Sequence, residues 1–554
     1  MYEQELNVEH KAGQEQSVEE EKRGRQQPPV SYGIYGAASA VYALFYAFCL
    51  FRNASGITYP FFVAGTLLYF FYCMKKCRVP GREPAGFEGK GDTGRLTAVF
   101  YTAGILLLGL TVCLTDDEKL LWMTKTGIFF LTVTLVLRGF YRTGSWTFTA
   151  YLRGIFRSLL EALQCLDTPF RDAISYFKEK GGVFANRKAA YAVLGFAAAC
   201  PLLLVVMALL LSADAVFSDL LRKLVQGWNI STPVSVCLMI FVAYLLSYSF
   251  VRGLSTYRMP VSGPKEKKGE PVAAITCTLL VALVYFVFCA VQIAALFLGK
   301  MRLPEGLTWA AYARQGFFQL LFVCLINLAL VLFCLAVFRE SRILKAILTA
   351  ISLMTYIMIA SSAFRMILYI QNYYLTFLRL FVLWALLVIA AVFVGVILAI
   401  YRKRFPLFGY CTAVVTVCYL CLALMRPDYW VARYDLQHAQ VSAQQEVGSR
   451  YSDYHYLYRL SLDAAPVLLQ EEAAKVWGTS SAMERYCSKV RERTEDMGLR
   501  NFNVSRWMAK KSLEEAQIFV EEAAGQPGGG KADFMRKGQR WEKREGLLLA
   551  EYML

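Results

Sequence analysis

Three short segments crowd tyrosine, arginine and side-chain amides together: Leu307–Phe317 (LTWAAYARQGF), Phe364–Leu380 (FRMILYIQNYYLTFLRL) and Arg426–Leu436 (RPDYWVARYDL). Guanidinium groups at a partly dehydrated interface suit phosphate or carboxylate binding, because their fork of donors meets two oxygens at once. Arg314, Arg365 and Arg379, with Tyr312, Tyr369, Tyr373 and Tyr374, could meet in one vestibule and hold an anionic lipid headgroup or an envelope precursor. The same residues have a plain structural use. Tyrosines at that depth form an aromatic belt, and arginines cap helix ends.

Other chemistry is thin. Gly525-Gln526-Pro527-Gly528-Gly529-Gly530-Lys531 approaches a phosphate-binding loop, but that loop needs a hydroxyl after the lysine to hold magnesium, and Ala532 stands there. It reads as a flexible linker. Cys418 and Cys421 form a C-x-x-C pair inside an apolar run that supplies no partners for redox or metal chemistry. The three histidines are His10, His438 and His455, and His455 beside Asp453 reads as surface hydrogen bonding. No G-x-S-x-G occurs. No metal site, cofactor or catalytic residue is assigned, and a non-enzymatic protein is the expectation.

The elements that must position these residues are long and apolar. Of 554 residues, 57% are hydrophobic and 18% charged, with mean hydropathy +0.40, a balance foreign to soluble domains. Spans are expected at 31–51, 56–74, 96–115, 120–137, 189–212, 233–251, 272–299, 316–338, 343–364, 379–401 and 407–425. A helix of roughly 20 apolar residues crosses a bilayer core, and in lipid only a helix satisfies its own backbone in one segment. Pro60 and Pro201 are expected to kink their spans. Gln292 and Asn327 are the clearest polar groups within spans and read as helix–helix glue; no carboxylate occupies a span centre. The stretch Arg365–Arg379 is open between an interfacial segment, an extension of the following span and a re-entrant loop.

Charge sets the orientation. From Arg426 onward 19 Lys/Arg balance 19 Asp/Glu, so the net +17 lies in the membrane portion and the N-terminal tail. Starting inside, the alternating loops gather about 30 cations on the inner side against about nine outside, which decides topology by the positive-inside rule. The N-terminus is then cytoplasmic and the C-terminus extracytoplasmic. No basic face on a soluble domain is visible, which excludes nucleic-acid binding. Fourteen of the 15 cysteines lie between Cys49 and Cys421, and Cys487 alone lies beyond them. In the inner stretch 146–180, Phe148, Leu152, Ile155, Phe156, Leu159 and Leu163 recur at helical spacing with Arg153, Arg157 and Glu161 off the stripe. That is either a basic amphipathic helix at the lipid interface or a helix packed under the bundle.

With Ser452–Leu469 (SDYHYLYRLSLDAAPVLL), the three Tyr/Arg segments give the chain its resemblance. It is similar, over about 195 to 470, to the bacterial multi-pass membrane family called domain of unknown function four-one-seven-three, whose sister family is four-one-five-three. Arg426 stands where such tails often carry Asn, and Trp309-Ala310-Ala311 replaces a more polar run. The resemblance implies a bacterial cell membrane and no particular activity.

The expected architecture is an all-α polytopic membrane helix bundle of about eleven spans with a C-terminal helical soluble tail. Its parts are a polar N-terminal tail (1–30), first membrane helices (31–137), a cytoplasmic amphipathic segment (138–188), a main bundle (189–425) and an extracytoplasmic helical tail (426–554), with helices near Ser481–Met497 and Ser512–Ala524. The expected function is an envelope sensor or assembly partner that meets membrane lipid, and a protein through its tail; a transporter or lipid-translocating protein is the alternative. Clustering of Asp428, Asp435, Asp453 and His455 over the bundle mouth would instead favour an enzyme of lipid-linked substrates.

Overall fold

Apolar runs this long leave the backbone one solution, and in the computed structural model the described residues are predominantly helical. It describes residues 32–53, 55–76, 92–141, 143–144, 146–179, 206, 210, 213–214, 231–256, 269–294, 316–402, 405–442, 456–470 and 481–525. The helices are α1 (Tyr32–Leu50), α2 (Thr58–Lys76), α3 (Asp92–Leu114), α4 (Glu118–Phe140), α5 (Phe148–Gln164), α6 (Thr168–Glu179), α7 (Ser231–Thr256), α8 (Pro271–Gln292), α9 (Phe317–Val337), α10 (Arg342–Tyr373), α11 (Phe377–Tyr401), α12 (Leu407–Met425), α13 (Pro427–Ser442), α14 (Ala465–Leu468), α15 (Ser481–Glu495) and α16 (Val504–Gly525), with a single 3-10 turn at Leu462–Ala464. Among the described residues there is no strand, only one isolated bridge between Gly269 and Phe338.

Nine of these helices are long and apolar enough to cross a membrane. Leu279, Leu280, Leu283, Val284, Phe286 and Val287 of α8 are all more than half exposed. Water would not tolerate so broad an apolar surface, and hydrocarbon does. The chain is a multi-pass membrane protein. The expected span 56–74 is the helix α2, but its tyrosines and terminal lysines keep it out of the nine. The expected span 189–212, with Pro201, falls almost wholly outside the described residues. Pro60 is the third residue of α2, where proline is tolerated, so it introduces no mid-helix kink.

Helix α10 corrects the reading of 365–378. It runs unbroken for 32 residues, about 48 Å at 1.5 Å per residue, against a hydrocarbon core of about 30 Å. Residues 365–373 thus extend the preceding span, and 377–378 open the following one. The chain turns at Tyr374 (φ 64°), and Thr376 caps α11 by accepting from the Arg379 N–H at 3.4 Å.

The chain divides into two compact units. One is built from described residues within Met1–Ala54, Thr58–Leu106 and Ile128–Pro264; the other from those within Ser55–Ile57, Leu107–Gly127 and Lys265–Leu554. In the first, α5 packs one face against α7, with Gly253 so close to the Glu161 carbonyl carbon that a Cβ would lie 3.2 Å from it. Asp172 accepts from the Arg252 Nε at 2.9 Å and the Tyr248 hydroxyl at 2.8 Å, a buried ion pair holding α6 to α7. Leu152, Phe156 and Leu163 of α5 stay exposed beside Arg153. Part of the apolar stripe thus turns away from the packed face, as an interfacial amphipathic helix requires, while Ile155 is buried.

Candidate functional site

In the second unit the C-terminal helices α13–α16 do not project freely. They pack around the fully buried Tyr486, with Val431, Leu460, Leu462, Leu468, Val490 and Ala509. Polar groups fasten this layer to three interhelical turns. Asn503 is wholly buried, and its Nδ2 donates to the carbonyls of Ser55 (2.9 Å), Thr115 (3.0 Å) and Val112 (3.4 Å). Its Oδ1 accepts from the Arg506 N–H, capping α16. The Ile57 N–H donates to the Phe502 carbonyl at 2.8 Å. At the third turn, Asp435 accepts from the Leu375 N–H at 2.8 Å and Tyr456 from the Phe377 N–H at 2.9 Å. The folded unit brings these three turns together.

Five carboxylates lie in this junction. Asp116 is 1% exposed and pairs with Arg493 (2.9 Å) and Arg506 (2.7 Å). Glu118 also takes Arg493. Asp463 accepts from the Thr115 hydroxyl and, at 3.2 Å, from the Asp116 N–H; its burial pushes the carboxyl up from the ordinary range. Asp428 accepts from the Ser461 N–H at 2.8 Å, and Asp117 from the Lys119 N–H at 2.9 Å. Burial, reinforced by the neighbouring Asp428, raises Asp117 to about 7. Lys489 donates to the Leu460 carbonyl at 2.7 Å, and burial, then Arg493, pushes its ammonium down.

These residues were legible only in part. Asp428 stands in a segment singled out for its Tyr and Arg, but Asp435 serves another turn, and Asp453 and His455 lie outside the described residues. The missed signal is Asp116-Asp117-Glu118, three acids on a tight turn between two apolar helices. Asp463 sat unremarked inside the L-S-L-D-A-A-P phrase. Helix α16 begins at Val504 rather than near Ser512 because Asn503 caps it. Among the described residues no group of three metal-ligating side chains occurs.

Of the Tyr/Arg residues, Arg379, Tyr369 and Tyr373 come together at one helix end. Arg379 donates to the Tyr373 and Tyr374 carbonyls, closing the α10 end, and stacks 4.2 Å over Tyr369, which packs on Tyr373 at 5.0 Å. Arg365 is buried, and its Nη2 donates to Gln292 Oε1 at 3.0 Å, which also accepts from Ser361 at 2.7 Å. Deeper in the bundle, Asn327 donates to Thr355 at 2.9 Å. Tyr312 and Arg314 lie outside the described residues. Gly316, at φ 90°, precedes α9, and a Cβ there would stand 3.0 Å from Arg365 Nη1. Gly316→Ala is therefore expected to cost about 1–3 kcal/mol through backbone strain and to displace Arg365; a thermal unfolding midpoint unchanged from wild type would contradict this.

With that geometry in hand, a family model described as Domain of unknown function (DUF4153) matches residues 102–471. This is well over half of the chain, which belongs to this family, the one named above as the sister. The match begins well before the stretch over which the resemblance was read. No curated protein and no solved structure matches.

Proposed function

We propose that the chain is a non-enzymatic protein of a bacterial cell envelope, a sensor or assembly partner whose C-terminal helices face the extracytoplasmic side. The observation carrying this reading is the clamp at Asn503 and Asp116, by which one helical layer engages turns from separate parts of the bundle. A layer so seated registers any change in the outer helix ends and offers its own surface to a partner. Proximity labelling from a tag on the C-terminal helices tests the reading in native membranes. A stable protein partner, lost when Asn503 is replaced, is the expected result; the same neighbours for the wild-type and Asn503→Ala proteins would count against it.

An anionic-ligand site on the outer face remains part of this proposal, with Arg314, Arg365, Arg379, Tyr312, Tyr369 and Tyr373 as its residues. Arg365 beside the start of α9 is its best-supported member, since a guanidinium and a helix N-terminus both favour an anion. Arg379 already spends donors on carbonyls. A folded, inserted Arg314→Gln, Arg365→Gln double variant that binds anionic vesicles as wild type does would remove the site from the proposal.

Transport or lipid translocation is the second reading, favoured by the polar stations Gln292–Ser361–Arg365 and Asn327–Thr355 along α10. Asn327 also approaches the sulfur of the buried Met358 at 4.0 Å. Substrate flux in reconstituted vesicles, lost in Asn327→Leu, would favour this reading over the first.

A further inference from the structure

We propose that Asp117, buried in the same junction as Asp428, holds a proton in the seated state, making the seating of the C-terminal helices depend on pH at that membrane face. Both residues are nearly sealed from solvent, at 3% and 2% exposed. Each satisfies one oxygen on a backbone N–H, Asp117 from Lys119 and Asp428 from Ser461. Asp117 Oδ2 and Asp428 Oδ1 are left buried with no hydrogen-bond partner. An orphaned carboxylate oxygen in a dry site is costly, and the negative charge of Asp428 in the same junction adds to the cost of a charge on Asp117. One proton answers both problems. It removes one charge and turns an orphaned acceptor into a donor.

The surrounding charges leave this role to the proton. Lys119, at the start of α4, faces Asp117 and favours its charged form, but less than burial and Asp428 oppose it; its ammonium lies 4.5 Å over the Phe377 ring. Lys489 of α15 faces Asp428 but directs its ammonium to the Leu460 and Arg459 carbonyls. Arg493 and Arg506 are taken by Asp116. Asp463 faces Asp117 as a further acid, with Arg426 nearest to that acid. Tyr419 of α12 faces Asp117, and Tyr486 and Tyr456 face Asp428; none of them supplies positive charge. Asp117 lies in the turn before α4 and Asp428 at the start of α13, so protonation of Asp117 acts on the junction itself. The inference goes beyond the proposed function and holds whichever partner the layer meets.

The sign follows from linkage. A carboxyl raised in the folded state binds a proton that the detached state releases, so the stabilisation is full below the ordinary aspartate range, about 3.9. It is lost as pH rises through about 7, the value for Asp117. The opening constant of segment 456–470, read by hydrogen exchange corrected for intrinsic rate, should rise roughly tenfold per pH unit between about pH 5 and about pH 7. Asp117→Asn and Asp428→Asn retain the shape and should flatten that rise. Infrared spectra of the full-length wild-type protein in nanodiscs should contain a protonated-carboxyl stretch that titrates away toward alkaline pH and is missing in Asp117→Asn. Identical carboxyl bands in wild type and Asp117→Asn would overturn the proposal, and so would an opening constant independent of pH. Suppression of opening by calcium or sodium at about pH 8 in wild type but not in Asp117→Asn would also overturn it, since a metal cation would then occupy the site.

Discussion

Asp116→Ala is expected to weaken the seating of the C-terminal helices by about 3 kcal/mol, the low end for breaking a buried ion pair. The carboxylate is 1% exposed, so its loss removes the shared partner of two guanidiniums at once. Arg493 and Arg506 keep side-chain exposures of 32% and 27%, and water then recovers part of the deficit. The single changes Arg493→Gln and Arg506→Gln should therefore cost less, each about 1 kcal/mol after solvent screening. Limited proteolysis of the purified protein reads the difference. Asp116→Ala should be cut within 481–525 at protease levels that spare wild type. Equal resistance of the two proteins would reduce the cluster to a surface decoration.

Asn503→Ala is the second large effect. Its amide serves the carbonyls of Ser55, Val112 and Thr115, all from one buried side chain. Each acceptor stranded away from water costs about 1–3 kcal/mol, and the lost α16 cap adds about 1. A total of roughly 3 kcal/mol or more follows from these magnitudes. Asn503→Asp separates the two roles. It keeps an oxygen for the Arg506 N–H, but brings a carboxylate against carbonyl oxygens, so it should be no milder than alanine if the turns matter most. Thermal unfolding in detergent ranks the three proteins. An aspartate variant near wild type would show that capping, not the clamp, is the function of Asn503.

The membrane fold was legible because hydrocarbon length and helical backbone satisfaction leave few alternatives, and the spans from 233 to 425 recur as α7 through α12. The long α10 was less so. Asn372 and the paired tyrosines look like the end of a span, yet a helix can continue past the hydrocarbon core and close on a nearby cation, here Arg379. The polar junction was largely hidden. Its members come from turns at 55, 115 and 375 and from helices beyond 426, and no local spacing encodes such long-range meetings. Charge balance in the last quarter of the chain was visible from composition, but not that Asp116 would neutralise Arg493 and Arg506 from hundreds of positions away. Lipid makes buried acids costly within the spans, and this protein instead buries Asp116, Asp117, Asp428 and Asp463 beneath a protein layer at the helix ends.

The proposed function places the C-terminal helices on the extracytoplasmic ends of the bundle. Leu499 is 94% exposed in that layer, while Arg339, with Glu270, marks the opposite helix ends. Cysteine placed at each position can be treated with a membrane-impermeant maleimide in intact cells, with the wild-type chain as the background control. Leu499→Cys should label before lysis and Arg339→Cys only after permeabilisation. Labelling of Arg339→Cys in intact cells, with Leu499→Cys protected until lysis, would contradict the account.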